Sequence, residues 1–281
     1  MQREYGSPPA GDGVLLRTAS PADLPAIERL CRRLDPADYG LSTWRGWLHR
    51  ADAVNRVAVV VERVVGCFHG RAVAPGQAFV QVLRVDPEWR RKGVGSQLVE
   101  AVERGLAEGG VGVARCTTGD RNRAARRLFA AAGYEERLEI HRLRRRGPPP
   151  ERRAPAGAGG AVGLARRHGL LAGRRAPAHY LRVYWEPVEA ELAAAVEAGR
   201  LVAADGAVGW LEPAGPRGLW LTAVAGPERA VRRLVARLPT TPALTVDAPA
   251  ALAGALGDLG FGPPGPDDRY VLLEKRLTAA G

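Results

Sequence analysis

The chain has 281 residues and few of the features that define several protein classes. Its three cysteines, Cys31, Cys67 and Cys116, lie far apart, without the close spacing of a zinc site or the density of a disulfide scaffold. No apolar run is long enough to span a bilayer. The amino terminus is polar and lacks the apolar segment of a signal peptide. We therefore expect a cytoplasmic protein with buried, reduced thiols, no metal and no membrane partner.

Lysine is almost absent: Lys92 and Lys275 are the only two among 41 basic residues, and the net charge is +11. The arginines are dispersed along both halves, and aromatic residues make up only 6% of the chain. Binding of single-stranded nucleic acid typically needs a basic groove interleaved with aromatic side chains. The charge therefore favours a solvated basic surface, and we do not expect a nucleic-acid partner.

What is present is typical of a globular protein, with 46% apolar and 25% charged residues and enough length for two domains. The pattern of the first half predicts a mixed α/β domain over residues 1–146. Its predicted strands are 14–17, 57–61, 64–68, 79–85, 111–116 and 138–143. Its predicted helices begin near Ser20 and cover 42–50, 94–106 and 122–132.

The stretch 147–178 is rich in Pro, Gly, Ala and Arg, so it is predicted to be a linker with one short helix. A second domain follows at 179–281. Its predicted helices cover 189–198, 227–238 and 250–259, and its predicted strands are 201–204, 207–211, 218–224, 244–246 and 270–277. This order repeats the later elements of the first half, which indicates a diverged tandem duplication.

A glycine-containing loop joins a predicted strand to a helix, with the sequence Arg90-Arg91-Lys92-Gly93-Val94-Gly95-Ser96. The start of a helix leaves N–H groups unpaired and carries the positive end of the helix dipole, so it attracts phosphate. Glycine lets the backbone approach oxygen atoms closely, and the basic side chains add charge. A dinucleotide fingerprint would require a third glycine where Leu98 stands, which argues against NAD. The loop is therefore a candidate polyanion site.

Two motifs together resemble the GNAT superfamily of acyl-CoA-dependent acyltransferases. The family signature of Arg or Gln, two residues, Gly, one residue and Gly or Ala is matched by residues 90–95. A second signature is matched by Asn122-Arg123-Ala124-Ala125-Arg126-Arg127-Leu128-Phe129 with Gly133-Tyr134. The resemblance spans about residues 14–143 in the family's element order.

The resemblance implies that acetyl-CoA is the co-substrate and assigns the residues that hold it. The backbone of Leu83 and Val85 would pair with the pantetheine arm like an added strand. The loop 90–96 would grip the pyrophosphate, Asn122 would contact the arm, and Phe129 would line the path to the thioester. A backbone N–H at a bulge near Leu83 would stabilise the oxyanion as a primary amine attacks the acyl carbonyl.

Many members of the family use a tyrosine of the second signature as general acid, but the matching position here is Phe129. Tyr134 is the nearest tyrosine in sequence and is the candidate acid. It stands where relatives bury an aromatic against the core. We therefore expect catalysis without a tyrosine acid, with water protonating the thiolate.

Four residues are candidates for the acceptor side. Trp44 and Trp47 lie on the segment that commonly roofs the acceptor cleft in the family, although this spacing is also typical of core aromatics. His69 is a candidate base or an exposed histidine, and Gln81 a candidate for orienting an amine or a water. The acceptor itself stays open among polyamines, amino acids, antibiotics and protein amino termini.

The second half lacks the basic loop, since its helix begins at Gly226-Pro227-Glu228. Pro227 has no N–H to donate, and Glu228 puts negative charge where a pyrophosphate would bind. We predict a degenerate domain that stabilises the first, covers its cleft or dimerises. The whole is predicted to be an N-acetyltransferase. The alternatives are a transferase for other acyl groups and a non-catalytic acyl-CoA-binding or regulatory module.

Overall fold

A computed structural model gives the fold of the chain and describes residues 13–146, 160–175, 182–214, 218–238 and 243–278. The mixed α/β architecture predicted from the sequence is confirmed. Helices pack on both faces of one 11-stranded sheet, and a separate two-stranded sheet lies against it. Within the described ranges, no helix is long and apolar enough to cross a membrane.

The first half follows the predicted order closely. Its strands are β1 (Leu15–Thr18), β2 (Ala53–Val60), β3 (Arg63–Ala74), β4 (Gln77–Val85), β5 (Val113–Gly119) and β6 (Glu135–Arg146). Its helices are α1 (Leu24–Leu34), α2 (Gly40–Trp47), α3 (Val94–Glu108) and α4 (Arg123–Ala131). Short 3₁₀ turns at Pro21–Asp23 and Pro87–Trp89 precede α1 and the glycine loop.

Local chemistry explains where these helices begin. Ser20 N–H and Oγ both donate to Asp23 Oδ2, at 2.7 and 2.9 Å, which caps the turn before α1. The helix then buries Leu24, Ile27 and Leu30 at helical spacing. Helix α2 begins two residues before the predicted start at Ser42 and ends three residues before the predicted end, since its buried face runs from Gly40 to Trp47.

The second half repeats this pattern, and residues 160–175 before it form a helix and a strand. Its strands are β7 (Ala172–Arg175), β8 (Arg182–Trp185), β9 (Leu201–Ala204), β10 (Ala207–Pro213), β11 (Gly218–Ala225), β12 (Ala243–Pro249) and β13 (Arg269–Arg276). Its helices are α5 (Ala161–Arg167), α6 (Glu189–Glu197), α7 (Glu228–Ala236) and α8 (Ala250–Ala253), which continues as a 3₁₀ helix over Gly254–Leu259. The predicted short helix is α5, whereas β7 and β8 were not predicted.

The strand order in the large sheet is β1-β2-β3-β4-β5-β13-β6-β12-β11-β10-β9. In the first half β3 and β4 pair antiparallel, and β4 and β5 pair parallel. In the second half β10 and β11 pair antiparallel, and β11 and β12 pair parallel. The shared topology supports the duplication inferred from the sequence.

The two halves exchange their last strands at the centre of the sheet. Strand β13 pairs with β5 of the first half from Tyr270↔Gly119 to Arg276↔Val113. Strand β6 pairs with β12 of the second half over seven residue pairs, and β6 and β13 also pair with each other. The predicted domain boundaries 1–146, 147–178 and 179–281 stay a prediction, because β6 and β13 each pair with a strand of the other half.

A buried arginine ties the exchanged strands together. The Arg115 side chain on β5 is 1% exposed. It donates to Glu274 on β13 at 2.7 Å, to Glu186 after β8 at 2.9 Å, and to Gln77 Oε1 on β4 at 2.6 Å. Charge-assisted hydrogen bonds of this kind are stronger than neutral ones, so the second half braces the start of β4 and β5.

Candidate functional site

Strands β4 and β5 form a fork that opens toward their carboxyl ends. Their parallel pairing covers only Gln77↔Val113, Ala78↔Ala114 and Phe79↔Arg115. Beyond Phe79, β4 pairs with β3 on one side, and β5 pairs with β13 on the other. The facing edges of the two strands are therefore open to an added strand-like ligand.

A β-bulge interrupts β4 inside this fork. The register with β3 passes from Cys67↔Arg84 to His69↔Gln81, so Val82 and Leu83 together face Phe68. Val82 has a φ of +57°, which is uncommon for a β-branched residue. The bulge expected near Leu83 is thus present, and Leu83 has no register partner on β3.

The glycine loop leads into α3 beside the fork. Gly93 caps the helix with a φ of +80°, which favours glycine. The first helical hydrogen bond runs from Gln97 N–H to the Gly93 carbonyl at 3.0 Å. Because the N–H groups of Val94, Gly95 and Ser96 come before this bond, they are available to an anion.

The side chains of the loop divide between solvent and core. Arg90, Arg91, Lys92, Gly93 and Ser96 are exposed. The Val94 side chain is buried in the core under α3, so its contribution to a ligand is limited to its backbone. Gly95 lies against α4: a Cβ added there would approach Leu128 Cδ2 to 3.3 Å.

Two arginines already contact the carbonyl groups that the sequence assigned to the pantetheine arm. Arg90 Nε donates to the Val85 carbonyl at 3.3 Å. Arg84 Nη1 donates to the Leu83 carbonyl at 3.1 Å. Lys92 Nζ lies 4.5 Å from the centre of the Trp89 ring, at a distance typical of a cation–π contact.

Helix α4 closes the other arm of the fork. Asn122 caps the helix, since its Oδ1 accepts from Ala125 N–H at 3.1 Å. Asn122 is an exposed residue and lies shortly after the end of β5. Phe129 is buried, with its ring centre 6.2 Å from Phe68 and 5.0 Å from Tyr134.

Tyr134 lies in the core beneath α3 and α4 and is only 4% exposed. Burial raises the pKa of its hydroxyl well above the usual range, and the nearby Cys116 and Glu103 add to this effect. Lys275 of β13 reaches the same region, with its Nζ 5.9 Å from the Tyr134 ring centre and 2.6 Å from Glu103 Oε2. The position matches the buried aromatic expected after the glycine.

The four predicted acceptor residues come together beneath α2. The ring of Trp47 stacks on His69 at 3.9 Å, and Trp44 approaches both rings edge-on at 5.8 and 6.1 Å. His69 and Gln81 face each other across β3 and β4. His69 is 0% exposed and all four are buried, so the alternative of an exposed histidine is wrong.

Hydrogen bonding fixes the tautomer of His69. Asn55 Nδ2 donates to the Trp47 carbonyl at 3.0 Å, which orients the Asn55 amide. Asn55 Oδ1 lies 2.8 Å from His69 Nδ1, so Nδ1 carries the proton and Nε2 offers a lone pair. Burial lowers the pKa of His69 to about 3, with a smaller contribution from the Arg71 charge. His69 is therefore a neutral hydrogen-bond acceptor near pH 7.

Several polar atoms in this region have no hydrogen-bond partner among the described residues. They are Tyr39 Oη, Trp44 Nε1, His69 Nε2, Gln81 Oε1 and, on β5 across the fork, Thr117 Oγ1. Unpaired buried polar groups are costly and normally bind a partner or an ordered water. The region between α2 and the fork is therefore suited to hold a small polar group.

Sequence reasoning missed Asp38, Tyr39, Asn55 and Arg84. Asp38 and Arg84 form a bidentate ion pair beside the bulge, with Nε–Oδ2 at 2.5 Å and Nη2–Oδ1 at 2.9 Å. The Tyr39 hydroxyl is buried near the Val82 backbone, and burial raises its pKa. The Asp38–Arg84 pair joins residues 46 positions apart, so no sequence spacing signals it.

The second half has the fork and the bulge without the loop. Strands β11 and β12 pair only up to Leu221↔Val246, and the register with β10 skips Thr222. Helix α7 then begins directly after Gly226 and Pro227. The Pro227 carbonyl accepts from both Ala230 and Val231, and Glu228 lies exposed in the first turn.

Comparisons with known proteins agree with this geometry. Residues 23–134 match the family model described as acetyltransferase (GNAT) family. A structure of a GCN5-related N-acetyltransferase from Sphaerobacter thermophilus is 18% identical, with a TM-score of 0.56 over 96% of this chain and 98% of that one. A protein provisionally assigned as an acetyltransferase from Thermoplasma acidophilum is 16% identical, with a TM-score of 0.55 over 93% and 99%. A search of curated proteins found no match. At these identities the structural likeness concerns the fold, and it extends over both halves.

Proposed function

Since residues 23–134 form a domain of the acetyltransferase (GNAT) family, we propose that this protein transfers an acetyl group from acetyl-CoA to a primary amine by direct attack. One observation carries the proposal. The open fork, the bulge at Val82–Leu83 and the free N–H groups of α3 adjoin one another along the chain and in the sheet. Together they suit a ligand with a strand-like arm, a carbonyl group and a pyrophosphate.

The donor binds along β4 in this proposal. The N–H groups of residues 94–96 and the exposed basic side chains of the loop hold the pyrophosphate. The pantetheine amides pair with the open edge at Leu83 and Val85. Because Arg90 contacts the Val85 carbonyl in the free protein, it exchanges this weak contact for a phosphate oxygen as the arm binds.

The second signature contributes to the donor side through α4. The side-chain NH₂ group of Asn122 donates to the arm while its Oδ1 continues to cap the helix. Phe129 is buried, so its part is to support the wall of the fork. This is a narrower role than lining the path to the thioester.

The reaction is a nucleophilic acyl substitution. The amine nitrogen forms a bond to the acetyl carbonyl carbon, and the carbonyl oxygen becomes an oxyanion near the Leu83 N–H. Collapse of this intermediate breaks the carbon–sulfur bond and releases the CoA thiolate. The amine loses one proton, and a water delivers one proton to the thiolate. Proximity and oxyanion stabilisation supply most of the acceleration.

The acceptor approaches from the α2 side of the sheet. We assign His69 Nε2 and Gln81 Oε1 to a buried water that takes the proton of the attacking amine as it passes one of its own protons to the departing thiolate, so that neither the water nor His69 keeps a charge. A histidine with a pKa of about 3 binds this water as an acceptor and does not store the proton. Trp44 and Trp47 cover the water and keep it apart from bulk solvent.

The second half supports the first in this proposal and does not bind CoA. Its strand β13 completes the sheet next to β5, and Glu186 holds Arg115 at the start of the fork. Pro227 and Glu228 replace the donors that a pyrophosphate needs. Its roles are to stabilise the catalytic half and to cover part of the acceptor face.

The test is a screen of amines with acetyl-CoA, followed by thiol detection of released CoA. Polyamines, amino acids, aminoglycosides and peptides with free amino termini form the acceptor set. We expect amine-dependent CoA release and an acetylated product by mass spectrometry. A parallel series with propionyl-CoA and longer acyl groups distinguishes the acyl specificity.

Calorimetry with CoA separates an enzyme from a binding module. CoA binding together with amine-dependent release supports the transferase. CoA binding without release for any acceptor favours the acyl-CoA-binding or regulatory module. Absence of CoA binding by the folded chain contradicts both.

A further inference from the structure

The bulge of β4 is held by an ion pair that joins it to the connection between α1 and α2. The side chain of Asp38 is 0% exposed and that of Arg84 is 25% exposed. The Arg84 guanidinium binds both carboxylate oxygens of Asp38, at 2.5 and 2.9 Å. Its remaining nitrogen, Nη1, donates to the Leu83 carbonyl at 3.1 Å. One guanidinium therefore fixes the bulge to a buried anion.

The same carboxylate fixes a close contact on the other side of the bulge. Asp38 Oδ1 also accepts from Gly40 N–H at 2.9 Å. Gly40 lies so close to β4 that a Cβ there would be 2.9 Å from Val82 Cγ1. Asp38 thus holds the Leu83 carbonyl through Arg84 and the Val82 side chain through Gly40.

This bracing matters because the bulge is strained. A positive φ at a β-branched residue is strained and persists only where the surroundings impose it. Val82 has this conformation, and Leu83 follows it. Without the brace, we expect the backbone at Val82 to relax to a negative φ. This change would reorient the peptide group between Val82 and Leu83.

We propose that Asp38 and Arg84 are positioning residues for acyl transfer, which hold the β4 bulge so that the Leu83 N–H points at the acyl carbonyl of the bound thioester. The inference rests on the proposed function. An oxyanion donor must lie about 2.7–3.1 Å from the oxygen that it stabilises. The phosphate contacts of residues 90–96 and the pantetheine contact at Val85 do not involve the brace. Its loss therefore displaces the Leu83 N–H from the acyl carbonyl and leaves most of the CoA affinity in place.

The chain offers a matched control pair. Arg17 binds Asp23 through two nitrogens at 2.6 and 2.7 Å, and Asp23 also accepts from the backbone N–H of Ser20. The Asp23 side chain is 8% exposed, and the hydrogen bond from Arg17 lowers its pKa to about 2. This pair fastens β1 to the turn before α1, away from β4. Breaking the Arg17–Asp23 pair therefore removes a comparable ion pair and leaves the bulge of β4 unchanged.

The experiment compares Asp38→Asn with Asp23→Asn in the full-length protein. The probe is acetyl-CoA carrying ¹³C at the thioester carbonyl, observed by isotope-edited infrared spectroscopy. We expect the bound carbonyl band to move to higher wavenumber in Asp38→Asn, because a hydrogen bond to the carbonyl is lost. The band in Asp23→Asn should match the parent.

Two further readouts separate positioning from simple destabilisation. Calorimetric affinity for CoA should stay within about threefold of the parent in both variants, since the charge-assisted phosphate contacts of residues 90–96 are intact. With an acceptor from the amine screen, kcat should fall at least tenfold in Asp38→Asn and within twofold in Asp23→Asn. If Asp38→Asn does not fold, Arg84→Lys carries the test, because lysine keeps the charge and lacks the fork that reaches the Leu83 carbonyl.

The outcomes are distinct. An unchanged carbonyl band in folded Asp38→Asn or Arg84→Lys overturns the proposal, and so does an equal shift in Asp23→Asn. A parent protein that binds no acetyl-CoA overturns the proposed function on which the inference rests. A shifted band with a parallel fall in kcat supports the positioning role.

Discussion

The helices that follow the two forks begin in different ways. Between β4 and α3 the chain inserts residues 86–93, which carry a 3₁₀ turn, three cations and a left-handed glycine. Between β11 and α7 there are only Gly226 and Pro227, followed by Glu228. The strands beneath are alike, since both halves have a bulge and a short parallel pairing.

The scaffold and the ligand site are therefore specified by different parts of the chain. The sheet topology provides an open fork in both halves, whereas the loop alone provides donors and positive charge. The buried side chains around the two bulges differ as well. His69 and Gln81 lie beside the first, while Trp210 and Thr222 lie beside the second, with Thr222 Oγ1 donating to the Trp210 carbonyl at 3.3 Å.

The largest expected effect comes from breaking the connection between the halves. A chain that ends at Asp268 lacks β13, which exposes the edge of β5 and removes Val271 and Leu273 from the core under α3. We expect this chain to lose cooperative unfolding and CoA binding, as measured by circular dichroism and calorimetry. A chain that ends at Leu277 keeps β13 and the hydrogen bond from the Leu277 N–H to the Gly112 carbonyl, so it should behave like the parent. Retained CoA affinity in the shorter chain would mean that the first half folds independently.

The next prediction concerns a substitution that removes phosphate binding from the loop before α3, so that this loop becomes like the connection before α7. Gly93→Val forces a β-branched residue to a φ of +80° and moves the N–H groups that follow. Loss of two charge-assisted hydrogen bonds, at about 1.5–3 kcal/mol each, predicts at least a 100-fold weaker CoA affinity by calorimetry.

Gly110→Val is the matched control for this change. It imposes the same strain at a φ of +81° beyond the other end of α3, where a Cβ meets nothing within 4 Å. Its CoA affinity should equal that of the parent, with one CoA per chain. Equal losses in the two variants would show that strain, and not the loop, explains the effect.

Most elements were predictable from the sequence because their patterns are local. Helix α3 repeats buried residues at helical spacing, and β4 is a short, mostly apolar run that is buried from Ala78 to Val82. The short strands β7 and β8 were missed because they lie in or beside a segment rich in Pro, Gly and Arg. The glycine loop was identified because its chemistry is contiguous in sequence.

The strand exchange and the brace were not predictable, because both depend on long-range partners. The alternation in β6 and β13 shows that these segments are strands and does not specify their neighbours. Apart from their opposite charges, nothing in the sequence indicates that Asp38 and Arg84 form an ion pair. For His69, the sequence left a base and an exposed residue as alternatives, and only the packing of Trp47 shows its burial.

A smaller effect tests the polar cluster that distinguishes the first bulge from the second. The unfolded chain protonates His69 near the ordinary pKa of 6.5, but the native state keeps it neutral down to about 3. Stability is therefore complete above pH 6.5 and declines as the pH falls from 6.5 toward 3. At pH 5.0 the free energy of unfolding is therefore about 2 kcal/mol lower than at neutral pH because of His69. His69→Gln should not show this decrease when the free energy is measured by urea unfolding.

His49→Gln provides the control for this measurement. His49 is exposed, so its removal should leave the pH dependence as in the parent. The loss of the Asn55 contact lowers the stability of His69→Gln at every pH, and only the change between pH 7.5 and 5.0 is diagnostic. The same slope in His69→Gln and the parent would contradict a buried neutral histidine.

The smallest expected effect concerns Tyr134, the one tyrosine that the second signature offers as a general acid. Its hydroxyl is buried in the core with a raised pKa, between α3, α4 and β13, and it has no exposed route to a departing thiolate. The hydroxyl lies beside Glu103, so Tyr134→Phe removes one polar contact in the core and keeps the packing of the ring against Phe129. We therefore expect Tyr134→Phe to keep kcat within a few-fold of the parent, measured with an acceptor from the amine screen. Loss of a true general acid typically lowers the rate about 10²- to 10⁴-fold. A fall in that range, with folding and CoA affinity preserved, would require a path from the core to the fork and would make Tyr134 the proton donor.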